Sequence, residues 1–244
     1  KYELPSKTRP DFSKLHFVQI DEFYPLNPNQ HNSFYNYVCK YYLDSFGITK
    51  ARAHLINTEK IILANNMHWT EVFPSGVVDL TLRHREAHSE EEKYQQESVY
   101  LIDQWCNMYE KKIQELGGIG FFLGGIGPDG HIAFNVRGSD HNSTTRLTQT
   151  NFETQAAAAV DLGGIEISRN RLVITIGLGS ITYNKNATAI IIAAGEAKAP
   201  IVQKSIESEQ NIMYPASSLQ KLANSRFYIT EGAAKNLKDV KNNY

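Results

Sequence analysis

The residues with the clearest capacity for chemistry are Asp129 and His131, which stand two positions apart at the end of a glycine-rich stretch. An imidazole exchanges protons near neutral pH, and a carboxylate beside it fixes its tautomer and raises its basicity. The pair therefore predicts general acid–base chemistry. The structural alternative is a glycine-rich turn with an Asx-type cap and a surface histidine.

Four glycines lie within residues 124–130, directly after an apolar run. Glycine permits positive φ angles and lets a ligand approach the backbone closely. In open α/β sheets, ligands bind at the carboxyl ends of the strands. We therefore expect Gly125, Gly127 and Gly130 to contact the ligand. The stretch is not a Walker loop, because no Gly-Lys-Ser/Thr follows it, and it lacks the helix start of a dinucleotide-binding loop.

The elements that must position these residues alternate between short β-branched runs and longer helical stretches. This alternation is typical of βαβ units and a mainly parallel sheet. Residues 57–88 have no clear periodicity and are predicted to be an ordered insertion or a mobile flap. One domain is predicted over residues 1–244, and that stretch is part of it. The predicted strands are 15–20, 119–123, 171–176, 189–194 and 226–230, and the predicted helices are 31–46, 89–116 and 198–207.

The composition excludes several classes of partner. The 25 Lys and Arg residues nearly balance the 26 Asp and Glu residues, which argues against non-specific nucleic-acid binding and against a polybasic membrane patch. No apolar run approaches the roughly 20 residues that span a bilayer. Two cysteines cannot form a disulfide framework, so a reducing, cytoplasmic location is expected. His84 and His88 have helical spacing but no convincing third ligand, so no metal site is predicted.

The run GIGPDGHIAFN over residues 125–135 resembles the signature of the glucosamine-6-phosphate deaminase (isomerase) family. The related 6-phosphogluconolactonases share the shorter G-x-D-G-H core but normally lack the IAFN that follows it. The similarity spans roughly residues 12–232. Within that span, four further stretches resemble the family in order and spacing: IDEFY at 20–24, NSFY at 32–35, LVITIGLG at 172–179 and AGEAKA at 194–199.

The resemblance implies a Rossmann-like open, mainly parallel sheet with helices on both faces. It implies an enzyme that converts glucosamine 6-phosphate, or a close relative, to fructose 6-phosphate and ammonia without a metal or organic cofactor. By the same resemblance, Asp21 moves a proton between C2 and C1 of the opened sugar, and His131 helps to open the ring. Asp129 supports that histidine, and Lys198 contacts the substrate. The expected partner is a small sugar phosphate, bound by a homo-oligomer.

The sequence departs from the family pattern in three places. Val136 replaces a glutamate that usually completes the relay to the histidine, and Glu153, Asp140 and Glu166 are candidates to replace it. The family's second arginine for the sugar phosphate has no basic counterpart near residues 157–161. The family's first strand and its Thr-Gly-Gly-Thr-Pro-like phosphate loop also have no counterpart. The chain is therefore expected to be incomplete at its N-terminus.

Two alternatives to the deaminase stay open. In a lactonase, His131 would activate water toward 6-phosphogluconolactone, and Val136 makes this alternative more tenable. The IDEFY stretch and the Phe-Asn of the signature count against it. In a non-catalytic sugar-phosphate sensor, the fold would remain and part of the relay would be lost. The sensor ranks third, because Asp21 and His131 are both retained.

Overall fold

The computed structural model describes residues 11–238 of the chain. The ends of the predicted domain, residues 1–10 and 239–244, lie outside the described residues, so the domain's full extent stays a prediction. Within residues 11–238 the strands are β1 Phe17–Val18, β2 Asp21–Tyr24, β3 Ala53–His54, β4 Phe121–Gly125, β5 Arg146–Gln149, β6 Leu172–Thr175, β7 Thr188–Ala193 and β8 Asn224–Ile229.

The strands form one short parallel pair and two three-stranded sheets. Strands β1 and β3 are parallel, and β4, β7 and β8 form a parallel sheet in the order β4-β7-β8. The other sheet, in the order β2-β6-β5, is antiparallel. The expected α/β fold with mainly parallel pairing is thus confirmed, and the antiparallel sheet is an addition that the alternation of elements did not indicate.

The helices vary greatly in length. The described α-helices are α1 Phe34–Val38, α2 Asp44–Phe46, α3 Trp69–Val72, α4 Glu90–Glu115, α5 Phe152–Leu162, α6 Ile165–Ser168, α7 Leu178–Thr182, α8 Ala199–Glu207 and α9 Glu231–Ala234. A π-helical stretch, Cys39–Leu43, joins α1 to α2. The described 3-10 turns are Lys50–Arg52, Thr58–Lys60, Ala64–Asn66, Leu80–Arg83, Glu196–Lys198 and Pro215–Lys221.

The parallel sheet packs one face against the core. In β7, Ala189 and Ile191 are buried beside Val202 of α8 and Ala233 of α9. The opposite face is exposed in the described part of the chain. It presents the large apolar side chains of Phe121, Leu123, Ile192 and Tyr228, which are 50–61% exposed.

Residues 57–88 contribute apolar side chains to the main core, although they have no regular periodicity. Short 3-10 turns and α3 make up the segment. Whether the segment is an insertion relative to related proteins stays a prediction. Its apolar side chains in the main core cluster are Ile61, Leu63, Val72, Phe73 and Val78.

The first predicted strand is interrupted before the expected point. β1 is only Phe17–Val18, and Asp21 opens the separate strand β2 instead of ending the first. The cause is Gln19, whose side-chain amide donates to the Asp21 carbonyl at 2.8 Å and accepts from the Ile56 backbone N–H at 3.0 Å. This bridge redirects the chain and places Asp21 in a different sheet.

A buried carboxylate on the long helix ties three elements together. Glu110 of α4 accepts from the backbone N–H of Thr145 at 3.0 Å and from its hydroxyl at 2.7 Å. It also accepts from the hydroxyl of Ser180 in α7 at 2.5 Å. These bonds fix α4 against the segment that leads into β5 and against the turn after β6.

We expect Glu110→Ala to lower the free energy of unfolding by about 3 kcal/mol, because it leaves buried donors without acceptors. Glu115→Ala is the matched control, since Glu115 lies on the same helix with an exposed side chain. We expect the control to change stability by less than about 0.5 kcal/mol. Urea unfolding of both variants measures the difference, and equal midpoints would contradict this role for Glu110.

Candidate functional site

The glycine loop is closed on itself by backbone hydrogen bonds. The Gly127 N–H donates to the His131 carbonyl at 2.9 Å, and the Gly130 N–H donates to the Gly127 carbonyl at 3.1 Å. Gly130 has φ +87°, in the left-handed region that favours glycine. Its carbonyl accepts from the Ala216 N–H at 2.9 Å, which anchors the loop to a distant segment. The loop is therefore a rigid platform for the side chains that it carries.

Asp129 and His131 are in direct contact. Asp129 Oδ1 lies 2.6 Å from His131 Nδ1, a short distance for a charge-assisted hydrogen bond. Because the carboxylate is an acceptor, it favours the tautomer with the proton on Nδ1 and leaves Nε2 free. The Asp129 side chain is buried, whereas 16% of the His131 side chain is exposed. The imidazole can therefore be reached from outside.

The second oxygen of Asp129 is also held. Oδ2 accepts from the Arg137 backbone N–H at 3.0 Å and from the Asn151 side-chain amide at 2.7 Å. Burial raises the pKa of Asp129, but the hydrogen bonds from His131 and from the Arg137 backbone outweigh it and hold that pKa below its usual range. Asp129 is therefore a carboxylate when the dyad meets a ligand.

Two of the predicted glycines, Gly127 and Gly125, have structural roles in the site itself. A methyl group built on Gly127 would overlap the imidazole ring of His131, so the ring occupies the space that glycine leaves. Gly125 is the last residue of β4 and is paired with Ile192. Together with Gly130, these glycines surround the dyad, and their contact with a ligand stays a proposal.

Asp21 lies at the same end of the molecule as the dyad. It pairs across the antiparallel sheet with Thr175, which in turn pairs with Arg146, so the three side chains share one face. The Thr175 hydroxyl accepts from the Phe134 backbone N–H at 3.1 Å. The Phe134 ring is stacked near that of His131, with centroids 6.3 Å apart. The structure thus links the predicted base to the predicted ring-opening histidine.

The Asp21 carboxyl differs sharply from its neighbour Glu22. Glu22 accepts from the Ser33 hydroxyl at 2.7 Å and from the Tyr35 N–H at 2.8 Å, and so caps the start of α1. The Asp21 side chain is buried and makes no hydrogen bond or ion pair with the described residues. Burial, with a smaller contribution from the charge of Glu22, raises the pKa of Asp21 to about 8. A buried carboxyl with no structural partner is suited to accept a proton.

Lys198 is attached to the glycine loop. Its ammonium donates to the Ile126 carbonyl at 2.7 Å. Partial burial lowers the pKa of Lys198, and the nearby negative charge of Asp129 opposes that shift. The structure therefore brings Lys198 beside the dyad, where its role as a substrate contact stays a proposal.

None of the predicted replacements for the family glutamate contacts His131 in the described chain. Asp140 accepts from the Asn142 backbone N–H at 2.8 Å, and Glu166 pairs with Arg169 at 2.8 Å. Glu153 is exposed. The expectation that one of them completes the relay therefore finds no support in the contacts of the described residues.

Sequence reasoning also missed several residues of the site. Thr175 and Arg146 were not identified as neighbours of Asp21, and Asn151 was not identified as a donor to Asp129. An Asn before a helical stretch signals an N-cap, and Asn151 does accept from the Thr154 N–H at 3.1 Å. Its contact with Asp129 has no local sequence signal.

A surface cavity outside this site lies along the start of α4. A cavity of about 520 Å³ is lined by His84, Arg85 and Lys93, among others, and includes neither the dyad nor Asp21. Its cations are already paired, since Arg85 contacts Glu92 at 2.8 Å and Asp79 at 2.9 Å. Within residues 11–238, no three His, Cys, Asp or Glu side chains converge as a set of metal ligands. In the same range, no helix is long and apolar enough to cross a membrane.

No protein-family model matches the sequence. Curated relatives do match it. A glucosamine-6-phosphate isomerase of Candida albicans is 38% identical over 138 residues, which are 56% of this chain and 55% of the relative. A glucosamine-6-phosphate deaminase 2 of Bos taurus is 38% identical over 54% of this chain and 48% of the relative. The chain thus spans about half the length of these two relatives.

A longer match comes from a glucosamine-6-phosphate deaminase of Borrelia hermsii, which is 29% identical over 93% of this chain and 70% of the relative. Among solved structures, a monomeric glucosamine-6-phosphate deaminase of the NagB superfamily has a TM-score of 0.67 at 22% identity. The superposition covers 93% of this chain and 76% of that chain. A 6-phosphogluconolactonase from Trypanosoma cruzi has a TM-score of 0.60 at 16% identity, with 93% of this chain and 75% of that chain covered.

These matches confirm the resemblance that residues 125–135 indicated. The solved structures share the fold, and the curated relatives carry the deaminase and isomerase names. The chain is therefore similar in sequence to glucosamine-6-phosphate deaminases and isomerases, and it has the fold that is also found in 6-phosphogluconolactonases.

Proposed function

We propose that the protein is an enzyme that converts glucosamine 6-phosphate, or a close relative, to fructose 6-phosphate and ammonia. The observation that carries the proposal is that two different proton-transfer groups lie at one end of the molecule. One is the His131–Asp129 dyad, joined at 2.6 Å. The other is the buried Asp21 carboxyl, which has no structural partner among the described residues. An aldose–ketose conversion with ring opening requires both kinds of group.

Ring opening is assigned to His131. Its Nδ1–H is donated to Asp129, so Nε2 is the nitrogen that faces the substrate. Opening a pyranose requires removal of a proton from the C1 hydroxyl and delivery of a proton to the ring oxygen. One imidazole nitrogen can do both in succession, because it exchanges protons near neutral pH. The Asp129 carboxylate stabilises the imidazolium that forms between the two transfers.

Proton transfer along the carbon chain is assigned to Asp21. In the open-chain aldehyde, the carboxylate takes the proton from C2, and the electrons of the C–H bond form the C1–C2 double bond. The C1 carbonyl oxygen takes a proton from the substrate's own ammonium group, which gives the neutral enolamine. Return of the proton to C1 gives the iminium at C2. Water then adds to C2, and ammonia leaves, so that one water is consumed for each ammonia released. The raised pKa of Asp21, about 8, makes the carboxylate a stronger base than an ordinary aspartate.

Substrate binding is assigned to the glycine loop and Lys198. Gly125, Gly127 and Gly130 let the sugar approach the backbone, and the Lys198 ammonium, fixed on the Ile126 carbonyl, supplies a positive charge beside the dyad. We further propose that the enzyme works in the cytoplasm and as a homo-oligomer. The near-neutral charge balance and the two cysteines support the location.

The proposal is tested by incubating the protein with glucosamine 6-phosphate and measuring fructose 6-phosphate and ammonia by coupled assays. We expect both products in equal amounts. A parallel incubation with 6-phosphogluconolactone measures hydrolysis above the spontaneous rate and tests the lactonase alternative. A folded protein that hydrolyses the lactone, but releases no ammonia from any hexosamine phosphate, would contradict the proposal.

We expect Gly127→Ala to lower kcat by roughly tenfold or more, because the added methyl group displaces the His131 ring from its orientation. Gly120→Ala is the matched control, since a methyl group there has no neighbour within 4 Å. The coupled assay on both variants measures the difference, with circular dichroism to check folding. Wild-type kcat in Gly127→Ala would show that the ring position does not matter.

A further inference from the structure

Asn151 serves two structural elements with one side chain. Its amide nitrogen donates to Asp129 Oδ2 at 2.7 Å, and its amide oxygen accepts from the Thr154 backbone N–H at 3.1 Å. The second bond makes Asn151 the N-cap of α5. Because the cap fixes the amide oxygen, it also fixes the direction in which the amide nitrogen points.

Asp129 needs more than one donor to keep a fixed orientation. A carboxylate that bonds a histidine through Oδ1 alone is free to rotate about its last side-chain bond. Oδ2 is held by the Arg137 backbone N–H, from the same loop, and by Asn151, which comes from a different element. Asn151 is therefore the contact that fixes the Asp129 carboxylate relative to a part of the fold outside the glycine loop.

We propose that Asn151 is a positioning residue, which holds the Asp129 carboxylate in the orientation in which it accepts the His131 Nδ1–H. Asn151 contacts neither the imidazole nor, in this account, the substrate. It acts through Asp129 alone. The residue that follows the signature is Val136, and its apolar side chain cannot form a hydrogen bond with the imidazole. The dyad of this chain therefore depends on the support given to Asp129.

The kinetic consequence of this proposal rests on the proposed function, but the spectroscopic consequence does not. A strong hydrogen bond from Nδ1–H to a carboxylate gives a far-downfield proton signal in NMR, which requires no substrate. The same bond sets the tautomer that leaves Nε2 free for proton transfer. Removal of the Asn151 donor should therefore abolish this signal and lower kcat, with little effect on KM.

Asn151→Ser separates the two roles of the side chain. Serine is as good an N-cap as asparagine, but it is too short to reach Asp129. Asn151→Ala removes both the cap and the donor. We expect both variants to lose the downfield signal and to lower kcat by about tenfold, the value of one hydrogen bond to a charged group. We expect KM to stay within roughly twofold, since uniform binding is unchanged.

Asn57→Ser is the matched control. Asn57 caps the turn Thr58–Lys60 by accepting from the Glu59 N–H at 3.1 Å, and it has no contact with the dyad. This control should keep both the downfield signal and wild-type kcat.

Asn151→Asp gives a second test. It keeps the cap and the shape but places a carboxylate against Asp129, whose charged neighbours are otherwise His131 and Lys198. The two carboxylates repel each other, so this variant should also lose the downfield signal and lower kcat. A retained signal with wild-type kcat would count against the proposal.

The outcomes separate the proposal from its alternatives. If Asn151→Ser keeps the signal and kcat while Asn151→Ala is merely less stable, Asn151 only caps α5 and the proposal is overturned. If the wild-type protein turns over no sugar phosphate, the proposed function fails, and the NMR comparison still decides the role of Asn151. Loss of the signal in Asn151→Ser then supports the positioning role, and its retention overturns it.

Discussion

Replacing Asp21 with asparagine is expected to lower kcat by roughly a thousandfold, the upper part of the range for loss of a general base. The amide is nearly the same size but cannot accept the proton from C2. In the wild-type protein, the raised pKa of Asp21, about 8, means that the active carboxylate form increases as the pH rises through that value. Turnover should therefore increase with pH over that range, and coupled assays across the range measure it. A kcat independent of pH near 8 would contradict this role.

The same substitution should make the protein more stable, which distinguishes a lost base from a damaged fold. The pKa of Asp21 is higher in the folded state than the usual value near 4 in the unfolded state. Between these two values the folded state binds the extra proton, so stability is greatest below the unfolded pKa and falls as the pH rises toward 8. Asp21→Asn removes this loss, which is on the order of a few kcal/mol.

Thermal unfolding at about pH 5 and about pH 9 tests the stability claim. We expect the melting temperature of Asp21→Asn to exceed that of the wild-type protein by more at the higher pH. Asp44→Asn, at an exposed helical position, is the control and should show no such dependence. If the stability difference did not grow with pH, the pKa of Asp21 would not be raised in the folded protein.

The second large effect is expected for His131→Asn. We expect kcat/KM for glucosamine 6-phosphate to fall by roughly a hundredfold or more. Among the described contacts, no other titratable side chain is hydrogen-bonded to Asp129 in a position to replace the imidazole in ring opening. Asparagine can still donate to the Asp129 carboxylate, so the loop should stay folded. His31→Asn, at an exposed position, is the control and should leave turnover unchanged. Turnover within roughly threefold of wild type in His131→Asn would contradict the assignment.

Much of the fold could be predicted from local patterns because those patterns reflect burial. The β-branched run that forms β7 buries alternate residues, and its observed bounds, Thr188–Ala193, differ from the predicted 189–194 by one residue at each end. The helix predicted at 198–207 is α8, Ala199–Glu207. The break before Asp21 could not be predicted, since it depends on a Gln19 side chain that bonds Ile56.

The site divides in the same way. The Asp129–His131 contact spans two residues and follows from a tight glycine turn, so the sequence predicts it. The partners of that dyad depend on how distant elements dock. Asn151 is 22 residues from Asp129, and Thr175 reaches Asp21 only through the antiparallel register. Among the described residues, Asp129 is the carboxylate that contacts His131, and no replacement for the glutamate absent at position 136 is found beside it. Support for the dyad comes from an amide and a backbone N–H acting on Asp129, not from a third acid on His131.

The most direct test of the central claim, that Asp21 and the His131–Asp129 dyad form one site for a proton-transfer isomerisation, is turnover of glucosamine 6-phosphate in D₂O followed by NMR. The wild-type protein is expected to release ammonia and to give fructose 6-phosphate with deuterium at C1, because a carboxylic acid that has taken the C2 proton exchanges with solvent before returning it. Asp21→Asn should lose both ammonia release and deuterium incorporation while remaining folded. Ammonia release with deuterium incorporation at the wild-type rate in Asp21→Asn would contradict the account.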